Sequence, residues 1–221
     1  VTPLGERKSA AVVGATGLVG RECLSLLASA SAFARVTALV RRSHADDAQH
    51  AKLRTVVVDF DRLEAQAEYF GVTHVFCALG TTIKQAGSEA RFRQIDFGYT
   101  VRVMEVARAA GVRHFLFVSS VGADPKARAL YLRVKGELEV AIRAAGFPSV
   151  TIVRPSVLRG ARREFRVAER FAASMSWALP ATYRAVDVVD VAKVLVAAAT
   201  EDRPGLRVIE NADIPRLAKE V

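Results

Sequence analysis

The stretch "ALYLRVKGELE", residues 129–139, sets Tyr131 four places ahead of Lys135 on what reads as an amphipathic helix. Positions i and i+4 share a helix face, so the phenol and the ammonium can meet. An ammonium beside a phenol favours the phenolate and eases proton exchange near neutral pH. Upstream, "HFLFVSS" ends in Ser119 and Ser120, whose hydroxyls could hold a substrate oxygen. A plainer account is that Tyr131 packs and Lys135 pairs with Glu139. Lysine ahead of glutamate is the weaker order for such a pair, yet spacing alone leaves both accounts open. What the rest of the chain builds around Tyr131 decides between them.

A second motif bears on the same question. "GATGLVG" places Gly14, Gly17 and Gly20 between the apolar run "AAVV" and a stretch of helical periodicity. Glycines there suit a tight turn, close approach of backbone to a pyrophosphate and close packing of helix on strand. Free N–H groups at the helix start then favour phosphate charge. The alternative is that they only shape a strand-to-helix turn. About 20 residues past such a loop, an NAD site offers an acid to the ribose 2′-hydroxyl. Here "TALVRRS" offers Arg41 and Arg42, and the nearest acids, Asp46 and Asp47, come later. Two guanidinium groups suit a 2′-phosphate, unless they are only a solvated strand end. The expected cofactor is therefore NADP(H), preferred over NAD(H), held by Gly14, Thr16, Gly17, Leu18, Val19, Gly20, Arg41 and Arg42.

These residues need elements to position them. "ARVTALVRR", "KLRTVVVDF", "THVFCALG", "VRHFLFVSS" and "PSVTIVRP" are further strand-length runs rich in β-branched and aromatic residues. Most are near-continuously apolar, as strands covered on both faces are. Helical stretches lie between several of them, notably 86–110 and 126–145, stopped by Gly111 and Gly146. The pattern predicts an α/β fold, a doubly wound parallel sheet with helices on both faces, in one domain over 1–221. A short substrate-side region is expected around 155–185.

Composition narrows the classes. The chain has 221 residues, 51% hydrophobic and 25% charged, ordinary for a globular domain. The longest apolar runs, such as "VLVAAA" at 194–199, are too short for a membrane span. "ERKSAAVVGATG" reads as a strand and not an export signal, and a cytoplasmic location is expected. Cys23 and Cys77 fit reduced core thiols. His44, His50, His74 and His114 form no zinc-ligand spacing with them, so no metal site is expected. The net charge of +9 includes one dense cluster, Arg159, Arg162, Arg163, Arg166 and Arg170. No nucleic-acid-binding motif accompanies it, so nucleic acid ranks last among expected partners.

Taken together, "GATGLVG", "FVSSVGAD" and "YLRVKGELE" resemble the short-chain dehydrogenase/reductase superfamily, of the atypical kind. "CALGTTIKQAG", "YLRVKGELE" and "VRPSVL" resemble more narrowly its Tat-interactive-protein-like branch, over about residues 10 to 215. The resemblance implies a Rossmann-type fold, an NADP(H) site and a Ser-Tyr-Lys set carried by Ser120, Tyr131 and Lys135, with Ser119 in reserve. It places Leu79, Gly80, Thr81 and Thr82 along the cofactor's ribose and phosphates, with Ser119 also at the cofactor, and Asp59 near the adenine. Arg154, Pro155 and Ser156 would lie on the nicotinamide side, and Asp187 in "VDVVDVA" would cap a late helix. Two departures stand out. Asp96 lies where many members carry an asparagine used in proton relay, and a carboxylate cannot donate as an amide does. The region after residue 155 is short, so the substrate pocket is small, open or completed by a partner chain.

The leading expectation is an NADPH-dependent reductase of a small carbonyl-like substrate with Tyr131 as proton donor. Arg159, Arg162 and Arg163 would attract an anionic substrate or simply form a solvated basic face. Isomerase or dehydratase chemistry with the same cofactor stays open. The rival is an NADP(H)-binding regulatory or sensor protein with little or no turnover, acting through a protein partner or a homodimer.

Overall fold

The structure is a computed structural model that describes residues 7–42, 50–160 and 180–221. Asp46, Asp47, Arg162, Arg163, Arg166 and Arg170 therefore lie outside the described residues. In chain order the strands are β1 (Lys8–Val13), β2 (Phe33–Val40), β3 (Leu53–Val57), β4 (His74–Cys77), β5 (His114–Val118) and β6 (Ser149–Arg154). Two short strands follow, β7 (Leu158–Arg159) and β8 (Val186–Asp187), then β9 (Gly205–Glu210). Seven of them form one parallel sheet, ordered β3-β2-β1-β4-β5-β6-β9, while β7 and β8 pair separately.

Parallel neighbours require crossovers. The first is α1 (Leu18–Ser29), between β1 and β2. Between β4 and β5 run α2 (Ile83–Ala86), α3 (Glu89–Arg93), a π-helical turn over Gln94–Gly98 and α4 (Tyr99–Ala109). Next come α5 (Leu130–Ala144), α6 (Val188–Glu201) and the short α7 (Ile214–Leu217). The expected helix over 86–110 is thus two helical pieces joined by a wider turn. Its C-terminal stop is as expected: Gly111 and Gly146 both take left-handed φ, +79° and +73°. Asp187 caps α6, accepting from the Val189 N–H at 2.9 Å.

The apolar strands are continuous because each face of the sheet has its own core. On β5, Phe115 and Phe117 face a core built with Val103 of α4 and Leu138 and Ile142 of α5. Leu116, between them, faces the other core with Leu27 of α1 and Val191 and Leu195 of α6. Cys23 and Cys77 are free and buried, and burial pushes the thiols up to about 12 and about 11. No helix among the described residues is long and apolar enough to cross a membrane. The strand order reverses between β1 and β4. Outside the carboxyl ends of strands at such a point, an open α/β sheet leaves a crevice.

Candidate functional site

The glycine loop opens that crevice. Gly14 takes φ +80°, and a Cβ on it would lie 2.4 Å from the Ala78 carbonyl oxygen, so the chain leaving β4 crosses directly over it. A Cβ on Gly20 would lie 2.2 Å from the Gly14 carbonyl oxygen, which seats α1 against the loop. Gly17 is the N-cap of α1, and the helix has neither a side-chain cap nor an acid in its first turn. Its first amides and the positive end of its dipole are therefore available to an anion. Gly14, Thr16, Gly17, Leu18 and Val19 line a cleft of about 620 Å³, whereas Gly20 lies outside the lining and serves the packing.

Leu79, Gly80, Thr81 and Thr82 form the wall beyond β4. Thr82 caps α2, accepting from the Gln85 N–H at 3.1 Å, and the Thr81 N–H donates to Asp96 Oδ2 at 2.8 Å. Pro155 and Ser156 stand across the cleft. The Ser156 hydroxyl donates to the Tyr183 carbonyl at 3.0 Å and its N–H to Asn211 Oδ1 at 2.7 Å. Asn211, itself buried, donates to the carbonyls of Ala181 and Arg184 and so pins segment 180–184 beside β6. A second cavity of about 700 Å³ shares Thr16 and Arg41 with the cleft, and holds Arg42 and Asp59. Arg91 of α3 and Asp61 border it too, so three guanidinium-bearing residues and two acids line one space.

Tyr131 and Lys135 both line the cleft. Tyr131 is 37% exposed, whereas Lys135 is buried together with Val134, Leu138 and Ile142 of the same helix. The Lys135 ammonium sits 3.4 Å from Asp96 Oδ1, 3.5 Å from the carbonyl oxygens of Leu79 and Val118, and 5.9 Å from the centre of the Tyr131 ring. Asp96 is fully buried in the π-helical turn. Burial pushes its carboxyl up from the usual range, against the pull of Lys135 and the Thr81 N–H. Its Oδ1 lies at ion-pair distance yet has no aligned hydrogen-bond partner among the described residues.

The pairing of Lys135 with Glu139 is not what forms. Glu139 accepts from Arg154 Nε and Nη2 at 2.9 and 2.6 Å, and from the Ser119 hydroxyl at 2.6 Å. Ser119 borders the cleft, but its hydroxyl is taken. Ser120, outside the lining, donates to the Val121 carbonyl at 3.2 Å. Arg154 also lies outside the lining: it turns to Glu139 and to Glu210 Oε1 at 2.8 Å, hydrogen bonds that hold it firmly protonated.

A family model described as NAD(P)H-binding matches residues 14–202. The chain belongs to the NAD(P)H-binding family. Protein HTATIP2 of Rattus norvegicus is 33% identical over 221 residues, 97% of this chain and 91% of the relative. Protein FMP52, mitochondrial, of Debaryomyces hansenii is 31% identical over 226 residues, 96% and 99% of the two chains. These matches bear out the atypical short-chain, Tat-interactive-protein-like resemblance. Among solved structures, MoeE5 in complex with UDP-glucose and NAD aligns with a TM-score of 0.71 at 18% identity, covering 96% of this chain and 81% of that one. The UDP-glucose 4-epimerase of Thermotoga maritima gives 0.69 at 17%, covering 96% and 80%. At such identities the likeness shows the Rossmann-type fold alone.

Within this NAD(P)H-binding chain, sequence reasoning missed Arg91, Asn211 and the partners of Glu139. Arg91 and Asn211 reach the site from elements distant in sequence, and no local motif marks them. Glu139 did carry a signal, as an acid one turn past Lys135, but the signal pointed to the wrong partner.

Proposed function

We propose that the chain is an NADPH-dependent oxidoreductase that reduces a small carbonyl-like substrate. The observation carrying this reading is the meeting in one cleft of the uncapped start of α1 with Tyr131 and the buried Lys135. The residues fit the cofactor. The amides of Leu18 and Val19 suit a pyrophosphate, whereas the Gly17 N–H closes the loop on the Gly14 carbonyl at 2.9 Å, and the space at Gly20 admits no side chain. Arg41, Arg42 and Arg91 border the cavity suited to a 2′-phosphate, with Asp59 on the adenine side. Thr81, Thr82, Pro155 and Ser156 would flank the ribose and nicotinamide. Bound there, NADPH would supply the hydride.

The chain's own part is proton delivery and orientation. The Tyr131 hydroxyl gives its proton to the substrate oxygen, and the Lys135 ammonium stabilises the phenolate left behind. Asp96 serves as the ammonium's anchor and not as a donor in a relay. Ser120 would exchange its bond to the Val121 carbonyl for one to the substrate oxygen, since the Ser119 hydroxyl is held by Glu139. Exposed Arg159 favours an anionic substrate, in keeping with the UDP-sugar complex of MoeE5.

One observation favours a second reading, an NADP(H)-responsive binding protein with little turnover. On the substrate side, Ser119, Arg154 and Ser156 all have their polar groups engaged within the chain. Titration with NADPH and NADH, followed by nicotinamide fluorescence, tests both readings at once. Tighter NADPH binding is expected, and binding of neither would sink both. A carbonyl panel then separates them: turnover abolished by Tyr131→Phe supports the enzyme, and no turnover by the cofactor-loaded protein supports the sensor.

A further inference from the structure

A second cluster lies at the opposite, amino ends of the strands, away from the cleft. His74 and His114 are register partners on β4 and β5, and both are buried. Asp202, just past α6, reaches both: its Oδ1 is 3.2 Å from His74 Nε2 and 3.1 Å from His114 Nδ1. Asp202 takes φ +51°, the left-handed region that a non-glycine residue seldom occupies. The three facing atoms all lie within 4.8 Å of one another.

The hydrogen bonds on the far side of His74 bear on what its Nε2 can hold. The Thr73 hydroxyl accepts from the Ser9 N–H at 2.9 Å, donates to the Ser9 carbonyl at 2.8 Å and lies 2.7 Å from His74 Nδ1. Its single proton goes to the carbonyl oxygen, which has none to give. Keeping all three contacts makes His74 Nδ1 a donor, so in the neutral ring the lone pair lies on Nε2. That lone pair faces a carboxylate oxygen, and Nε2 has no aligned hydrogen-bond partner among the described residues. Two electron-rich atoms at this distance are relieved by a cation between them, either a proton on Nε2 or a metal ion. His114 has the same outer support, its Nε2 lying 2.9 Å from the Thr151 hydroxyl, and its Nδ1 hydrogen-bonds Asp202 Oδ1 at 3.1 Å, a contact that an ion would replace. Outer hydrogen bonds of this kind orient metal-binding imidazoles.

We propose that His74, His114 and Asp202 bind one divalent transition-metal ion of the zinc type. Imidazole and carboxylate ligands suit Zn²⁺. Bonds of about 2.0–2.1 Å in tetrahedral arrangement separate neighbouring ligand atoms by roughly 3.3 Å, close to the two distances seen. The ion would tie the end of α6 to β4 and β5, with water in the remaining position. Lys8 opposes it. Its ammonium donates to the carbonyls of Ala199 and Thr200 and lies 3.7 Å from the other carboxylate oxygen, Oδ2. That leaves Oδ1 to the imidazoles, while the charge weakens cation binding.

The test is independent of the cofactor reading. The full chain, stripped with chelator, is titrated with ZnCl₂ by calorimetry and with Co²⁺ by visible absorption. One equivalent of each is expected, with a rise in melting temperature on Zn²⁺. Affinity should fall more than tenfold in His114→Ala and in Asp202→Asn, and should rise about tenfold in Lys8→Met. Circular dichroism checks the fold of each variant. Where a variant fails to fold, wild-type imidazole resonances decide, because Zn²⁺ must shift those of His74 and His114. Absence of saturable binding would mean that a proton fills the position, and would overturn the proposal. So would unchanged affinity in both ligand variants, or shifts at His50 alone.

Discussion

Helix α5 makes two buried ionic contacts one turn apart, and they differ in kind. Glu139 is saturated: Arg154 grips it with two short bonds and the Ser119 hydroxyl adds a third. Lys135 is held loosely, with Asp96 and two carbonyl oxygens at 3.4 to 3.5 Å. Asp96 itself keeps one oxygen without an aligned hydrogen bond among the described residues. A buried charge that is fully bonded braces the structure, because leaving either partner alone is costly. A buried charge with unused bonding capacity beside a cleft can act on something else. Lys135 and Glu139 share a helix and a level of burial, so burial alone does not separate a working group from a brace. Completeness of hydrogen bonding does.

The largest expected effect tests the working side. Tyr131→Phe should lower turnover of any accepted substrate by roughly 10²–10⁴-fold. Its melting temperature should stay unchanged, because the ring is partly exposed and the hydroxyl has no hydrogen-bond partner among the described residues. A large stability loss without a kinetic one would move Tyr131 to the bracing class. Next comes the brace. Glu139→Ala should destabilise the chain by about 1–3 kcal/mol in a denaturant titration, since the buried Ser119 hydroxyl loses its partner and Arg154 keeps only Glu210. NADPH affinity of the molecules still folded should be preserved, and its collapse would erase the contrast between the two pairs.

Two further effects sharpen the comparison. Replacing both Arg41 and Arg42 with alanine should weaken NADPH binding by about 1.5–3 kcal/mol per charged hydrogen bond lost, with NADH binding unchanged. Equal loss for both cofactors would assign the arginines to general attraction. The smallest effect concerns Asp96. Burial raises its folded pKa above the unfolded value, so the folded state binds the proton more tightly. Its contribution is complete below the ordinary carboxylate range, near 3.9, and is lost as pH rises through the raised value. Asp96→Asn should remove that component from the stability-versus-pH curve, and an unchanged curve would show that Lys135 fully offsets the burial.

Much of the fold was legible because its signals are local. The apolar runs ending at Val13, Val40, Cys77, Val118 and Arg154 all became strands of the sheet. β9 was not anticipated, since "GLRVIE" has a weaker apolar pattern and a half-exposed position at the sheet edge. The glycine spacing of Gly14, Gly17 and Gly20 marked the loop, because a tight turn and a close helix start restrict residue type locally.

Other features depend on contacts that no local pattern encodes. The π-helical turn that buries Asp96 breaks the periodicity by which a helix is read, so the carboxylate's aim at Lys135 was invisible. The choice of Ser119 for Glu139 and the turning of Arg154 away from the cleft are outcomes of packing between β5, α5 and β6. The histidines make the same point. Their spacing excluded a metal motif, yet strand register sets His74 beside His114, and the end of α6 brings in Asp202. The parallel sheet, the anion-ready loop and the placement of Tyr131 and Lys135 on one helix were legible in the chain alone. All of these follow from periodicity and residue type over a few turns. Which buried charges are saturated and which keep bonding capacity is fixed in the folded chain alone, because that depends on partners brought together from distant parts of the chain.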